Sequence, residues 1–528
     1  MRWVLALLVL HVVLVLPDHR ASGWGVLARL PVELPIVVAI LLASPPRRWP
    51  LVRSIAAAGL GLLVLLEVAD IATQASLGRP FQPMLDLHLV GAGFELLTRA
   101  FGMAGAAALV ATAVLGWIAA VAVLYRAIQA LRPREHLRVR LAATAAFAAI
   151  LVGGVHLATV VGLTPAITTV ATSESVRDHL QVLRLGFADR ARFRRELADD
   201  AFAQVPSDRL LAGLRGIDVV FLFVESYGRS TLENPLYAPT VGRALAEFEA
   251  AAEKAGFGVR SAWVTAPIQG GQSWLAHTTL LSGLKIDSQR RHESLLLSDR
   301  ATLVGDFRRA GWRTLAVLPA TRRPWPEGRF FGFDRIYAAS DLGYAGEPFN
   351  WITMPDQFTL SALRRLELDR RDRRAIMAVV ALISSHAPWT PLPVLLDWDA
   401  VGNGASFDAH ARAGEAPEVV WRDTGKIRAQ YLRSIEYVWH TLSSWVAGQG
   451  RGRSMFVILG DHQPVGFVAG EGASFDVPVH LVSREPEVLA TIDGWRWSRG
   501  MRPDASAPVW PMEAMRERFL DAFTAPTH

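Results

Sequence analysis

The feature that most constrains this chain is the confinement of its long apolar runs to the first third of 528 residues. Five runs can be read, roughly Trp3 to Leu16, Leu30 to Ser44, Ile55 to Ile71, Met103 to Tyr125 and Leu141 to Leu163, against the about 20 residues a spanning helix needs. The last two suffice as they stand. The second and third suffice once flanking residues such as Val26 to Arg29 and Ala72 to Thr73 are counted. The first follows Arg2 and is short enough for a signal-peptide core, with a small-residue cleavage site near Ala21 to Gly23. The expectation is therefore a transmembrane domain of about five helices over residues 1–165, followed by a connector over 166–204 and a soluble domain over 205–528.

Charge orients the membrane part. Arg47, Arg48 and Arg53 share one loop, and Arg126, Arg132, Arg134, Arg138 and Arg140 another, whereas the intervening loops hold only Arg20 and Arg79. Arginine-rich loops stay on the cytoplasmic side, so five spans, or four after cleavage of the first run, put the C-terminal portion outside. The formal charge of +6 thus marks orientation in a lipid bilayer and not nucleic-acid binding. Glu33, Glu67 and Asp70 fall near the outer ends of apolar runs; the expectation is interfacial acids paired with Arg29 or water, the alternative a polar site for lipid headgroups. The connector, with LQVLRLGFADRARFRRELADDAF, reads as an amphipathic helix on the outer surface or a solvated spacer.

Beyond it, apolar runs rich in β-branched residues alternate with helical patterns: Ile217 to Val224, Arg313 to Leu318, Ala375 to Ile383, Met455 to Leu459 and Val477 to Val482. That alternation predicts an α/β fold with a mostly parallel sheet, in which ligands gather where the strands end. Glu225 follows the first run, Ser384, Ser385 and His386 follow the third, and Gly460, Asp461 and His462 follow the fourth. Taken singly these are a salt-bridged carboxylate, a loop histidine and a helix cap. Together they form a set suited to Mn²⁺, Zn²⁺ or Mg²⁺. Between them lies GGQSWLAHTTLLSG, residues 270–283, a glycine-rich turn entering a helix with Ser273 at the junction. Ser273 alone would be a cap. Beside a cation it becomes a nucleophile, and the helix start offers amides to a phosphate or sulfate oxygen. The chain has no cysteine, which excludes disulfides and thiolate metal sites.

Over residues 215–485 this pattern resembles the alkaline phosphatase superfamily, and within it the sulfatase-like membrane enzymes of the lipoteichoic acid synthase and phosphoglycerol or phosphoethanolamine transferase type. The resemblance is carried by VVFLFVESYG, GGQSWLAHTTLLSG, FFGFDRIY, MPDQF, SSHAPW and ILGDHQP, in that order. It implies one divalent metal, Mn²⁺ first and Zn²⁺ or Mg²⁺ as alternatives, held by Glu225, Ser273, Asp461 and His462. It implies Ser273 as nucleophile and His386 as an aid to substrate or leaving group. It also implies a multi-pass protein of the bacterial inner membrane with its catalytic domain facing the periplasm or exterior. The lipoteichoic acid type has threonine where this chain has Ser273. Sulfatases place their modified residue ten positions before a similar glycine, as Ser273 stands to Gly283, but the residues read by their maturation system are replaced by Leu275 and His277. Formylglycine is therefore not expected, and Ser273 itself attacks. Trp325 and Arg329 are candidate contacts for a glycerol-phosphate headgroup; His277 reads as a packed histidine and His480 is left unassigned. The functional expectation is headgroup transfer from a membrane phospholipid to a glycan or lipid hydroxyl through a phosphoseryl intermediate. The alternatives are a phosphate or sulfate ester hydrolase and an inactive membrane-tethered binding module.

Overall fold

A computed structural model describes the chain except residues 19–26, 78–80, 87–88, 133–134, 162–167, 323–324, 371, 449–451 and 526–528. Arg20, Arg79, Arg134, Val26 and the Ala21 to Gly23 cleavage site therefore lie outside the described residues. The chain divides into two compact units, Met1–Arg192 and Phe193–His528.

In the first unit three helices are long and apolar enough to cross a membrane: Pro46–Gln74, Gly102–Ala130 and Leu137–Val160. Two more apolar helices, Arg2–Val15 and Glu33–Ala43, have 14 and 11 residues, or about 21 and 17 Å at 1.5 Å per residue, short of the ~30 Å hydrocarbon core. The expectation of about five spanning helices is thus corrected to three long ones among the described residues. The physical reason lies in the flanks. Pro17 interrupts the first run, Pro45 and Pro46 end the second, and Leu30–Pro31, counted above toward the second span, form a short parallel pairing with Thr168–Thr169 instead. The three acids are buried and partnered. Glu33 Oε1 accepts the Ser173 amide and hydroxyl, at 2.8 and 2.7 Å, and Glu67 Oε1 accepts the Ser175 hydroxyl at 2.6 Å. Asp70 Oδ1 accepts the Phe81 amide at 2.6 Å. Ser173 and Ser175 open the amphipathic helix Ala171–Ala198.

The second unit is built on one mixed sheet. Its strands are β1 (Asp218–Val224), β2 (Gly258–Thr265), β3 (Arg313–Leu318), β4 (Arg335–Ala338), β5 (Ile376–Leu382), β6 (Ser454–Gly460), β7 (Asp476–Ser483), β8 (Ser498–Arg499) and β9 (Val509–Pro511). They lie in the order β8-β2-β7-β6-β1-β5-β3-β4, with β9 beside β2. The five apolar runs read from sequence are β1, β3, β5, β6 and β7, but β7 runs antiparallel to both β6 and β2.

Alternation along β1 explains the layers. Val220, Leu222 and Val224 face a core with Phe248, Tyr431 and Trp439, whereas Val219, Phe221 and Phe223 face another with Leu275, Phe307 and Phe519. Helices thus cover both faces: Ala238–Lys254 and Thr424–Ala447 on one, Ser273–Ser282 and Ala514–Phe523 on the other. Register then places the chemistry. Val224 pairs with Leu382 of β5 on one side and with Gly460 of β6 on the other, so three parallel strands end level. Gly460 allows this closeness, since a Cβ there would collide with the Tyr227 carbonyl.

Candidate active site

Glu225 and Asp461 are the first residues past the level ends of β1 and β6, and His462 is the second past β6. All three are buried, and one donor atom from each lies within 4.8 Å of the other two. Ser273 comes to the same point from the opposite side. Gly270 and Gly271 hold φ of 76° and 144° and Gln272 holds 62°, a left-handed path that glycine takes at least cost. The Gly270 amide donates to the Gln463 carbonyl at 2.9 Å, fastening the turn to the loop after β6. The helix then starts at Ser273 with Gln272 as its N-cap and no side-chain cap bond. The Ser273 hydroxyl does not cap its helix. It donates to Glu225 Oε2 at 2.9 Å and lies 3.1 Å from His462 Nε2.

The outer atoms of the donors are already engaged, which leaves the inner ones facing one another. The His462 Nδ1–H donates to the Gln463 carbonyl at 2.8 Å, so Nε2 is the nitrogen that faces the centre, 3.3 Å from Glu225 Oε1. Asp461 Oδ1 accepts the amides of Ser226 and His462 at 2.8 and 2.7 Å, which frees Oδ2. Such outward hydrogen bonds are how proteins orient metal ligands, and two carboxylates with one imidazole suit a borderline divalent cation. The donor set fits the implied metal.

Electrostatics agree. Burial pushes the Glu225 carboxyl up, but the charge and hydrogen bond of His462, with His386 nearby, outweigh it and hold the group below the usual carboxylate range. Burial and the Glu225 charge raise Asp461 to about 7. Burial would lower His462, yet Asp461 and Glu225 raise it to about 9. The cluster thus calls for positive charge at its centre, which His462 supplies as a proton and a cation would supply in its place.

His386 lies four residues past the end of β5. Its Nδ1–H donates to the Ala387 carbonyl at 2.5 Å, leaving Nε2 as the unengaged nitrogen, and its ring stacks on Trp351 at 3.7 Å and 11°. Ser385 ties this loop to the centre through a 2.6 Å bond from its hydroxyl to the Glu225 carbonyl. Asp356 secures it from beneath: Oδ1 accepts the Ile383 and Ser384 amides at 2.7 and 3.0 Å, and burial pushes the carboxyl up to about 7. The contacts of Trp351 and Asp356 with the His386 loop were missed from sequence; the MPDQF match was a signal for Asp356, whereas Trp351 carried none. Trp325 packs on Phe331 at 5.5 Å and Arg329 is exposed on the turn Gly328–Phe331. Among the described residues no hydrogen bond, ion pair or ring contact joins either to the Ser273 cluster. His277 is one turn below Ser273, its ring 4.1 Å from that of Phe223, and burial lowers it to about 4.

No protein family and no curated protein matches the chain by sequence. Among solved structures the chain is similar to the lipoteichoic acid synthase LtaP from Listeria monocytogenes, at 12% identity and a TM-score of 0.38 over 61% of this chain and 74% of that one. It is similar to the C-terminal periplasmic domain of EcEptC from Escherichia coli in complex with Zn, at 14% identity and 0.40 over 59% and 84%. It is also similar to the Streptococcus pyogenes phosphoglycerol transferase GacH in complex with sn-glycerol-1-phosphate, at 12% identity and 0.37 over 62% and 80%. Any reading of function rests on the residues themselves.

Proposed function

We propose that the chain is a sulfatase-like member of the alkaline phosphatase superfamily acting as a membrane-anchored, metal-dependent phosphotransferase. It moves a phosphoglycerol-type or phosphoethanolamine-type headgroup from a bilayer phospholipid to the hydroxyl of a glycan or lipid acceptor. The observation that carries this reading is Ser273 Oγ, turned away from its helix amides and aimed at Glu225 and His462. Glu225, Asp461 and His462, with Ser273 as fourth donor, would hold the cation, Mn²⁺ first among the candidates. When bound, it supplies Lewis-acid charge that favours the ionised serine.

In the first step Ser273 Oγ bonds to the phosphorus of a lipid phosphodiester, and the bond from phosphorus to the diacylglycerol oxygen breaks. The serine hydroxyl already faces Glu225 Oε2 and His462 Nε2, so it would join them on the cation, and its proton passes to solvent as the alkoxide forms. His386, its ring held by Trp351, gives a proton from Nε2 to the departing alkoxide and takes the acceptor hydroxyl's proton at the same nitrogen in the second step. In the second step the acceptor oxygen attacks the phosphoseryl ester and restores Ser273. The long apolar helices keep this centre within reach of a lipid donor, which raises the effective concentration of substrate. The topology that fits is that of a multi-pass inner-membrane protein with this unit on the periplasmic or outer side.

The test is mass spectrometry of the Ser273 peptide after incubating the full chain with membrane lipids and Mn²⁺. A phosphoglycerol or phosphoethanolamine adduct, absent in Ser273→Ala, is expected. Formylglycine at Ser273 overturns direct attack, free headgroup without an acceptor product makes the chain a hydrolase, and an unmodified peptide with no phosphodiester turnover leaves a binding module.

A further inference from the structure

Four aromatic side chains rim the proposed reaction centre and are left open to solvent: Trp274 at 46%, Trp351 at 42%, Trp421 at 41% and Phe467 at 43% exposure. They form an arc. Trp274 directly follows Ser273, and Trp351 stacks on His386. Trp421 donates its indole N–H to the Pro388 carbonyl at 3.1 Å, two residues past His386. Phe467 meets Trp421 with ring centroids 6.1 Å apart, and Val465, two residues before it, lies so near Gly270 that a Cβ there would come within 3.3 Å of it. Clustered exposed aromatics around one opening mark an interaction surface, unlike scattered ones.

We propose that this arc seats the second unit on the surface of an anionic phospholipid bilayer; the proposal rests on the reading of Ser273 as acting on a lipid headgroup. Three observations favour a bilayer. The Phe467 and Trp351 carbonyls and the Trp274 and Trp421 indole N–H groups are paired within the protein, so they can enter the headgroup region without being stranded. Arg428 donates twice to the Phe467 carbonyl, at 3.0 and 2.7 Å, Arg322 donates to the Trp351 carbonyl at 3.4 Å, and the Trp274 indole N–H donates to Gln289 at 3.2 Å. Indoles with a paired tip and an open body are the side chains that settle at membrane interfaces.

Charge is the second observation. Arg322, Arg422 and Arg428 stand beside the arc. Of the nearby acids, Glu415 is paired with Lys426 at 2.9 Å and Asp423 is drawn to the amides of the helix it caps, while Glu418 and Glu471 stand exposed as opposing charges. Basic residues at that position are drawn to anionic headgroups. The third is the tether: three helices of this chain are long and apolar enough to cross a membrane, so a bilayer surface is always at high local concentration. A lipid phosphodiester could then reach Ser273 while its acyl chains stay in the membrane.

The chain contains no cysteine, so a single introduced thiol reports one position. The full chain carrying Phe467→Cys or Trp421→Cys, each checked for wild-type thermal unfolding, is labelled with a polarity-sensitive fluorophore in nanodiscs containing doxyl-labelled lipid. Arg374→Cys, just before β5 at the opposite end of the sheet from His386, is the control. Quenching at 467 and 421 at least twofold stronger than at 374 is expected in phosphatidylglycerol discs, weakening in phosphatidylcholine discs and in high salt. Equal quenching at all three positions, as a soluble protein partner on this face would give, overturns the proposal, as does quenching indifferent to lipid charge. The readout needs no turnover. A chain that docks but transfers no headgroup sinks the reading of Ser273, whereas one that transfers headgroup with the rim unquenched sinks only the docking.

Discussion

Two imidazoles at neighbouring strands show what separates a candidate metal site from a structural core. His462, just past β6, and His480, within β7, are both buried. His480 is held in a chain of neutral groups. The Tyr227 hydroxyl lies 3.2 Å from its Nε2, Ser261 Oγ lies 2.7 Å from its Nδ1, and Ser261 passes its own proton to the Gly500 carbonyl at 2.6 Å. One acceptor and one donor satisfy a neutral ring, and burial drives it down to about 3. His462 has the same burial but faces two carboxylates and a serine, and it is driven the other way, to about 9. Burial alone therefore makes a histidine inert. Uncompensated negative charge makes it a site.

The sharpest way to break this contrast is to remove one carboxylate. Asp461→Asn keeps the Oδ1 acceptor for the Ser226 and His462 amides but deletes the charge, and should cut metal-dependent phosphodiester turnover by about a thousandfold or more, on the scale seen when members of a catalytic unit are removed. The same substitution should abolish the rise in unfolding temperature that Mn²⁺ gives the wild type, a stabilisation of about 3 kcal/mol at a hundred times the dissociation constant. Calorimetry with and without chelator reads the second effect. A full metal-induced shift in Asp461→Asn would refute the ligand assignment.

At His480 the expected effect is smaller and of another kind. His480→Leu fills a similar volume but leaves the buried Tyr227 hydroxyl without its partner, which should cost about 1–3 kcal/mol in denaturant unfolding at pH 7. The Mn²⁺-induced shift should survive. Its loss would show that the two imidazoles belong to one functional network, and the contrast between them would fail.

The contrast was only half legible in the amino-acid order. Glu225, His386, Asp461 and His462 could be found because a strand run of β-branched residues is a local pattern, and the residue after it necessarily falls at a strand end. The pairing that brings those ends level, Val224 with Leu382 and Gly460, is a long-range register with no local signal. The same limit hid the direction of β7, since an apolar run reads alike whichever way it enters a sheet. It also hid β2, Gly258–Thr265, whose opening GVRS is too polar to stand out. In the membrane part the apolar pattern was plain, but helix length was decided by prolines and by the Leu30–Pro31 pairing. Trp351 was invisible because its meaning is the His386 ring stacked on it.

The smallest effect sharpens the comparison through its sign. His480 is held near 3 in the folded chain against about 6.5 when unfolded. Below pH 6.5 the unfolded chain binds a proton that the folded chain refuses, so stability falls as pH falls across the window from 6.5 to 3. His462, raised to about 9, contributes with opposite sign in the metal-free chain: the folded state holds the extra proton, and stability is lost as pH rises from 6.5 through 9. Unfolding of the metal-free wild type and of His480→Leu at pH 6 and pH 5 isolates the first of these. The wild type should lose about 1 kcal/mol more than the variant over that one unit, close to the limit of one proton per molecule. Parallel curves would mean that His480 takes up its proton while folded, which would require Tyr227 to turn its oxygen toward Nε2 as an acceptor and would make this buried ring as chargeable as His462.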